Sequence, residues 1–430
     1  MKDVYDTLLE RGFVAQVTDA EQIKELVGHD RITCYVGFDP TAASLHIGSL
    51  VPIMALMHIQ QHGHRPVILI GGGTGLIGDP SGKTEMRQLL THEQIDSNAR
   101  SLQRQLSRYI DFQDEKALLL NNADWLTKLN YIEFLRDIGR HFSVNKMLAA
   151  ESYKLRLEKG LNLIEFNYML LQAYDFLYLF KSADCRLQLG GNDQWGNIVA
   201  GIDLIRRVTG KTAYGITFPL LITARGHKMG KTEKGAIWLD ASLTSPYDYY
   251  QYWINTDDCD VEKFLALFTL LPLEEIRKVG QLADQELNMA KTVLAFEATR
   301  ITHGEEAAVA SWMASAKAFN AKPVDIILFP SCPIPRSLTA SDFDGLRSLK
   351  KTREELRKGI PAFELFYEAR VCASKSEARK VISQGGGYVN DRQLFKFDDK
   401  ITINEVNERG EIVLRKGKKN YFIVTIKDEK

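Results

Sequence analysis

The sequence predicts an α/β protein: a parallel sheet with its helices at the N-terminal end, then a helical region, then a small α+β module. Three stretches carry that prediction. Cys34-Tyr35-Val36 is a short β-branched and aromatic run halted by Gly37 and Asp39-Pro40; apolar residues then recur at helical spacing (Leu45, Leu50, Ile53, Met54, Met57) before a second apolar run, Val67 to Ile70. Strand, helix and strand in that order make a βαβ unit, whose strands are parallel and joined by a right-handed crossover. From about Ser242 to Lys317 only helical periodicity remains, with Phe264, Leu267, Phe268 and Leu271 as a core stripe. After Pro361 an amphipathic helical stretch, Phe363 to Ile382, gives way at Gln384-Gly385-Gly386-Gly387 to short strands that end in Tyr421-Phe422-Ile423-Val424.

The 430 residues, 45% hydrophobic and 26% charged, suffice for one large core and one or two smaller domains. Lys+Arg and Asp+Glu both number 55, so a polyanionic partner must be held by local basic patches and not by a global field. The cysteines Cys34, Cys185, Cys259, Cys332 and Cys372 contain no C-x-x-C pair, which disfavours zinc and disulfides and fits a reducing cytoplasm. No signal-peptide core and no apolar run of membrane-spanning length is present, so a cytoplasmic protein with no membrane partner is expected.

Residues 3 to 30 read as outer helices. In the next stretch His46, Gly48 and Ser49 fall in the first turn of a helix, where free backbone N–H groups and the helix dipole favour phosphate and Gly48 permits close approach. Beyond the second strand, GGGTGLIGDPSGKTEMR places Asp79, Lys83 and Arg87 past the strand's carboxyl end, where open α/β sheets bind ligands. Gly78 to Thr84, G-D-P-S-G-K-T, is not a Walker loop: it has one residue too few between the glycines and a proline among the N–H groups that should hold phosphate. Leu89 to Gly160 shows only charged amphipathic helices, anchored by Trp125, Tyr131 and Phe134.

Tyr168, Gln172 and Asp175 stand at i, i+4 and i+7 on a helix that is apolar nearly all round. Three hydrogen-bonding side chains in such surroundings need partners, and a small polar ligand would supply them: Tyr168 and Gln172 at its ammonium end, Asp175 at a hydroxyl. The run from Cys185, CRLQLGGNDQWGN, is again a strand ending in glycines, with Gly191 and Asp193 suited to a ribose and Gln194 to a carboxylate or ammonium group. Basic clusters suited to phosphates occur at Ser374, Lys375, Arg379 and Lys380 and at Arg415, Lys416, Lys418 and Lys419.

Gly37 to Ser49, GFDPTAASLHIGS, resembles the HIGH signature of the class I aminoacyl-tRNA synthetases and is closest to the tyrosyl branch, with Ser49 where the signature ends in His. Lys228-Met229-Gly230-Lys231-Thr232 resembles the KMSKS loop of the same class; Gly230 and Thr232 depart from it and both lysines are kept. SKSEARKVISQGGGYVN resembles the S4 RNA-binding module. The resemblance implies a Rossmann-like catalytic domain over residues 1–225 with a helical insertion at about 89–160 that carries a homodimer contact. It further implies a KMSKS-like loop and helical anticodon-side domain over 226–320, a Pro-rich linker over 321–360 and an S4-like domain over 361–430.

The implied reaction activates L-tyrosine with ATP, Mg²⁺ accompanying the phosphates, and passes the tyrosyl group to tRNA(Tyr). Tyr35 and Asp175 would hold the phenolic hydroxyl, and Asp79, Tyr168, Gln172 and Gln194 the ammonium and carboxylate groups. Gly37, Asp39, His46, Gly48, Ser49, Gly191, Asp193 and Lys231 would surround ATP, with no metal ligand from the chain itself. Thr41, His46, Lys83, Arg87, Lys228, Lys231 and Thr232 would stabilise the transition state, and Arg206, Arg207, Lys375, Arg379, Lys380, Lys418 and Lys419 would contact tRNA. A tryptophanyl enzyme shares the core, although Tyr35 and Asp175 suit a phenol better. A non-catalytic RNA-binding protein would predict broken ATP residues; Ser49 points that way, and the two lysines of the second motif point against it.

Overall fold

The structure is a computed structural model that describes residues 3–29, 31–81, 90–150, 153, 157–158, 160–224, 226, 229–232, 235–282, 284–319, 328–335, 348–390, 392–407, 410–417 and 420–427. The chain forms two compact units, residues 1–308 with 324–334, and residues 309–323 with 335–430.

The first unit is built on six strands: β1 Gln16–Val17, β2 Thr33–Phe38, β3 Arg65–Ile70, β4 Leu118–Asn121, β5 Cys185–Gly191 and β6 Tyr214–Phe218. Their order is β1-β6-β5-β2-β3-β4, parallel throughout except for β1 against β6. The βαβ unit is the one expected, with Leu50–Gln61 as its helix and Tyr35 level with Val67. Because the chain steps from β2 outward through β3 to β4 and then returns to β5 and β6 on the other side, the direction of winding reverses between β2 and β5. That reversal opens a crevice at their carboxyl ends.

One strand contradicts the all-helical reading of residues 89–160. β4 is the sheet's edge, paired with β3, and its Leu118-Leu119-Leu120-Asn121 carries no β-branched residue. Leucine is a good helix former, so only the pairing with β3 decides its state. The sheet is covered by the helices Leu163–Ala183 and Trp195–Thr209; Tyr35, Val67 and Leu69 pack there against Met169, Ala173, Phe176, Leu204 and Ile205. Beyond β6, the small hairpin β7 Lys231–Thr232 and β8 Gly235–Ala236 precedes the helices Pro246–Ile254, Val261–Phe268, Leu273–Ile276 and Asp284–His303. Buried Arg11, at the end of the first helix Val4–Glu10, donates to the carbonyls of Ala266 (2.9 Å), Thr269 (3.0 Å) and Leu271 (2.6 Å) and ties the N-terminus to these helices.

The second unit carries β9 Ser348–Thr352, β10 Ile360–Pro361, β11 Gly387–Val389, β12 Arg392–Leu394, β13 Lys400–Ile401, β14 Glu411–Lys416 and β15 Asn420–Lys427. Five of them form a sheet in the order β12-β11-β14-β15-β9, and the helices Arg353–Lys358, Ala362–Glu368 and Lys375–Ser383 supply the rest of its core with Leu356, Leu365, Phe366 and Ile382. Residues 348–358, read from sequence as the end of a linker, belong to this unit: β9 runs parallel to β15 and Leu349 packs on the core. SLKKT has one apolar residue and lies far in sequence from its partner strand, so no local pattern marks it. Of the other linker residues, 321–327 and 336–347 lie outside the described residues.

Candidate active site

A cleft of about 1710 Å³ lies at the carboxyl ends of β2 and β5. It brings together Tyr35, Gly37, Asp39, Thr41, His46, Gly48 and Ser49 with Asp79, with Tyr168, Gln172 and Asp175, and with Gly191, Asp193, Gln194, Arg206 and Arg207. Sixteen positions scattered over the first half of the sequence thus meet in one cavity.

At its deep end, Asp175 is 2% exposed and accepts from Asn122 Nδ2 (2.8 Å) and Trp125 Nε1 (2.7 Å). Burial pushes its carboxyl up to about 7, against the opposing pull of those two donors. Tyr35 is 1% exposed, with its ring 5.3 Å from that of Phe176, and its hydroxyl has no hydrogen-bond partner among the described residues. Burial and then the charge of Asp175 push that phenol well above its ordinary value, so it is a donor at any working pH. Gln188, level with Tyr35 on the neighbouring β5, keeps a buried Oε1 without a partner among the described residues. A buried polar group left unpaired costs about 1–3 kcal/mol, and a ligand hydroxyl that donates to Asp175 while accepting from Tyr35 would remove one such cost.

A second polar cluster stands on the same helix one to two turns earlier. The Tyr168 hydroxyl donates to Asp39 Oδ2 (3.0 Å), and Thr74 Oγ1 donates to Asp39 Oδ1 (2.8 Å). Residue 71 must be glycine for this to form, because a Cβ there would lie 2.0 Å from Asp39 Oδ1. Gln194 Nε2 donates to Asp79 Oδ2 (2.6 Å), and Asn197 Nδ2 joins Gln194 Oε1 (3.1 Å) to Gln172 Oε1 (2.9 Å). Burial, followed by the charges of Asp39 and Asp79, raises the Tyr168 phenol. Two carboxylates with acceptor oxygens around them form a site for a cation such as an ammonium group. Asp39, expected beside ATP, has its two oxygens engaged in this cluster by Tyr168 and Thr74.

The phosphate side differs in detail from the sequence reading. His46 does not lie within a helical turn; it caps the short 3₁₀ turn Ile47–Ser49 that leads into Leu50–Gln61, and its Nδ1 accepts from the Gly48 N–H (3.0 Å). One N–H expected to face phosphate is therefore taken by His46, and the acceptor role of Nδ1 leaves the ring proton on Nε2. The flanking backbone pairs with the segment after the second motif: Ile47 N–H donates to Ile237 O (2.9 Å) and Leu239 N–H to Leu45 O (2.8 Å). Trp238 stands edge-on to His46 at 6.5 Å. Gly230 closes this contact, with φ +88°, and a Cβ on it would come within 2.7 Å of Ile47 Cγ2. Two motifs more than 180 residues apart in the chain are neighbours here.

Lys83, Arg87, Lys228, Lys418 and Lys419 lie outside the described residues, and only the backbone of Lys231 and Thr232 is described. Arg206 and Arg207 line the cleft and pair with Asp203 at 2.6 and 2.8 Å. Lys375, Arg379 and Lys380 are in the other unit, exposed on Lys375–Ser383; Lys375 pairs with Glu364, and Arg379 stacks 4.2 Å over Phe363 and 5.8 Å over Phe397. No group of three or more His, Cys, Asp or Glu able to hold a metal occurs among the described residues, and no described helix is long and apolar enough to cross a membrane. Sequence reasoning missed Asn122, Trp125 (read only as an apolar anchor), Asn197, Gln188 and Thr74. Asn121-Asn122 directly after three leucines was the one available signal, and it is legible only once β4 is recognised as a strand.

A family model of class I tRNA synthetases (W and Y) matches residues 28–320, and one of the tyrosine–tRNA ligase SYY-like C-terminal domain matches residues 343–424. The chain is 65% identical over 426 residues to the tyrosine–tRNA ligase of Syntrophus aciditrophicus and 57% identical over 429 residues to that of Desulfosudis oleivorans, with 99% of each chain covered in both cases. Among solved structures, a C-terminally truncated mitochondrial tyrosyl-tRNA synthetase of Aspergillus nidulans superposes with a TM-score of 0.67 at 31% identity, covering 74% of this chain and 95% of that one.

Proposed function

The chain belongs to the class I tRNA synthetases of the tryptophan and tyrosine group and acts as a tyrosine–tRNA ligase, with ATP as substrate; on that premise we propose how its residues divide the work. The observation that carries the proposal is the buried, unpartnered Tyr35 hydroxyl beside a buried Asp175. A phenolic hydroxyl accepts from the first and donates to the second. An indole N–H only donates, so tryptophan would leave Tyr35 unpaired.

The ammonium group sits among Asp79, Tyr168 and Gln172, with Asp39 behind Tyr168 and Gln194 toward the carboxylate. The tyrosine carboxylate oxygen attacks the α-phosphorus of ATP, a P–O bond forms, and the P–O bond to pyrophosphate breaks; no side chain acts as nucleophile. His46 Nε2–H and Thr41 donate to phosphate oxygens, Gly37, Gly48, Ser49, Gly191 and Asp193 receive the nucleoside, and Lys83, Arg87, Lys228, Lys231 and Thr232 stabilise the leaving pyrophosphate. Mg²⁺ arrives with the ATP phosphates as part of that substrate. In the second step tRNA(Tyr) is held by Arg206 and Arg207 near the cleft and by Lys375, Arg379, Lys380, Lys418 and Lys419 of the S4-like unit, and its terminal ribose hydroxyl takes the tyrosyl group. A homodimer is supported by the exposed apolar side chains of Tyr131, Ile132 and Leu163 around the inserted segment, and a cytoplasmic location by five free cysteines.

ATP–pyrophosphate exchange run with each amino acid in turn tests the amino-acid site, and exchange driven by tryptophan in place of tyrosine would overturn it. Removing residues 335–430, so that β9 is not left without its partner strand, should spare exchange and abolish tRNA charging. Equal loss of both activities would refute the division of labour, and sedimentation of the intact chain as a monomer would refute the dimer.

A further inference from the structure

The site as assigned does not explain how His46 is held. Its segment leaves β2 through an Asp-Pro turn and is followed by a 3₁₀ turn, so two sources of irregular backbone meet where an imidazole must be placed to within a fraction of an ångström. From one side the segment is clamped by residues 237–240: the backbone bonds of Leu45 and Ile47 are joined by a bond from the Asp240 N–H to Ser44 Oγ (3.2 Å). From the other side comes Gln105, in the last turn of the His92–Leu106 helix and 4% exposed. Its Oε1 accepts from the Leu45 N–H (3.1 Å) and lies 3.2 Å from Ser44 Oγ, whose one proton is shared between it and the Leu45 carbonyl (2.8 Å), and its Nε2 reaches the Ala43 carbonyl (3.4 Å).

We propose that Gln105 is a positioning residue for His46. A single buried amide engages three consecutive residues that have no helix or sheet ladder of their own, the backbone of Ala43 and Leu45 and the side chain of Ser44, and it does so one residue before the imidazole. Through Ser44 the same amide is joined to the segment that follows the lysine loop, so the two motifs are held in one hydrogen-bonded frame. Gln105 does not reach the reacting atoms. It acts by fixing the N-cap geometry that leaves His46 Nε2 as donor, and the inference therefore rests on the role given to His46 above.

The test is a double-mutant cycle on the full-length enzyme, read by single-turnover formation of tyrosyl-adenylate. Gln105→Met keeps the shape and removes every hydrogen bond; adenylate formation should slow by about ten- to a hundredfold, with tyrosine affinity unchanged, as expected for misplacement of a catalytic group. In a His46→Ala background the same substitution should slow it less than about threefold further, because a positioned group that is absent cannot be mispositioned. Gln105→Glu retains both acceptor contacts but buries a carboxylate, so it should be less stable than the Met variant and yet more active; a merely structural role predicts that activity follows stability. Should neither variant of residue 105 fold, Ser44→Ala carries the same cycle. Additive losses in the cycle, or activity that tracks melting temperature, would overturn the role of Gln105, whereas full activity of His46→Ala alone would instead overturn the reading of the site on which it rests.

Discussion

The two ends of the cleft are built on opposite plans. At the end proposed for the amino acid the recognising groups are buried side chains on regular elements, Tyr35 on β2, packed in the core, and Asp175 on a 21-residue helix, held by Asn122 and Trp125. At the end proposed for the phosphates they are an exposed histidine on an irregular turn, backbone N–H groups, and a glycine in left-handed conformation pressed against that turn. The difference follows from the chemistry. A neutral ring with one hydroxyl is selected by satisfying or orphaning a buried hydrogen bond, which needs rigidity, whereas a triphosphate that must lose pyrophosphate needs charge that can approach and withdraw.

If that contrast is correct, the largest effect should come from the rigid end. Asp175→Ala removes a charge-assisted acceptor and strands the substrate hydroxyl in a dry pocket, roughly 4 kcal/mol together, or about a thousandfold in tyrosine-dependent exchange. Phenylalanine should gain nothing comparable, because Tyr35, Asn122 and Trp125 would still lack partners. Exchange assays with both amino acids decide the matter; undiminished tyrosine exchange would break the comparison at its root.

At the open end the effects should be smaller and should fall on rate. His46→Ala should slow adenylate formation by about a hundredfold, the loss expected for one donor to developing charge, while equilibrium binding of tyrosine stays within about twofold. A loss confined to tyrosine affinity would show that the two ends are not separable.

The legibility of the sequence divides along the same line. Tyr168, Gln172 and Asp175 could be placed on one helix face from spacing alone, and the βαβ unit from its apolar runs, because both are periodic and local. Asn122 and Trp125, which hold Asp175 from just beyond the end of β4, could not: they follow a strand that leucines disguise, and their importance lies in contacts 53 and 50 residues away. The neighbourhood of Gly230 and His46 was equally invisible. It depends on backbone pairing between residues 45–47 and 237–239, for which no side-chain pattern exists.

That pairing can be probed at Gly230. Alanine there meets two obstacles, a left-handed backbone that costs about 1–2 kcal/mol for a side-chain-bearing residue and a Cβ 2.7 Å from the buried Ile47. The second motif should be pushed off the first, raising KM for ATP about tenfold with KM for tyrosine unchanged. An equal rise in both constants would mean that the loop supports the amino-acid pocket as well.

The smallest effect sharpens the contrast through pH. The Asp175 carboxyl of the empty enzyme is held up at about 7 by burial, while tyrosine requires it ionised to accept the phenolic proton. Because the folded value lies above the ordinary carboxylate value, this group favours the empty fold most below about pH 4 and loses that contribution as pH rises through about 7; ligand binding runs the other way, drawing on the ionised form. Tyrosine affinity should therefore fall about fivefold from pH 7 to pH 6 and rise less than twofold from pH 7 to pH 8, as the ionised fraction of a group titrating near 7 dictates. Calorimetry across that range measures it together with the uptake or release of protons, and Asp175→Asn should flatten the profile. No pH-dependence of this kind is expected for ATP from the amino-acid end if Asp175 meets the phenol as proposed; a matching profile for ATP would place the titrating group elsewhere in the cleft.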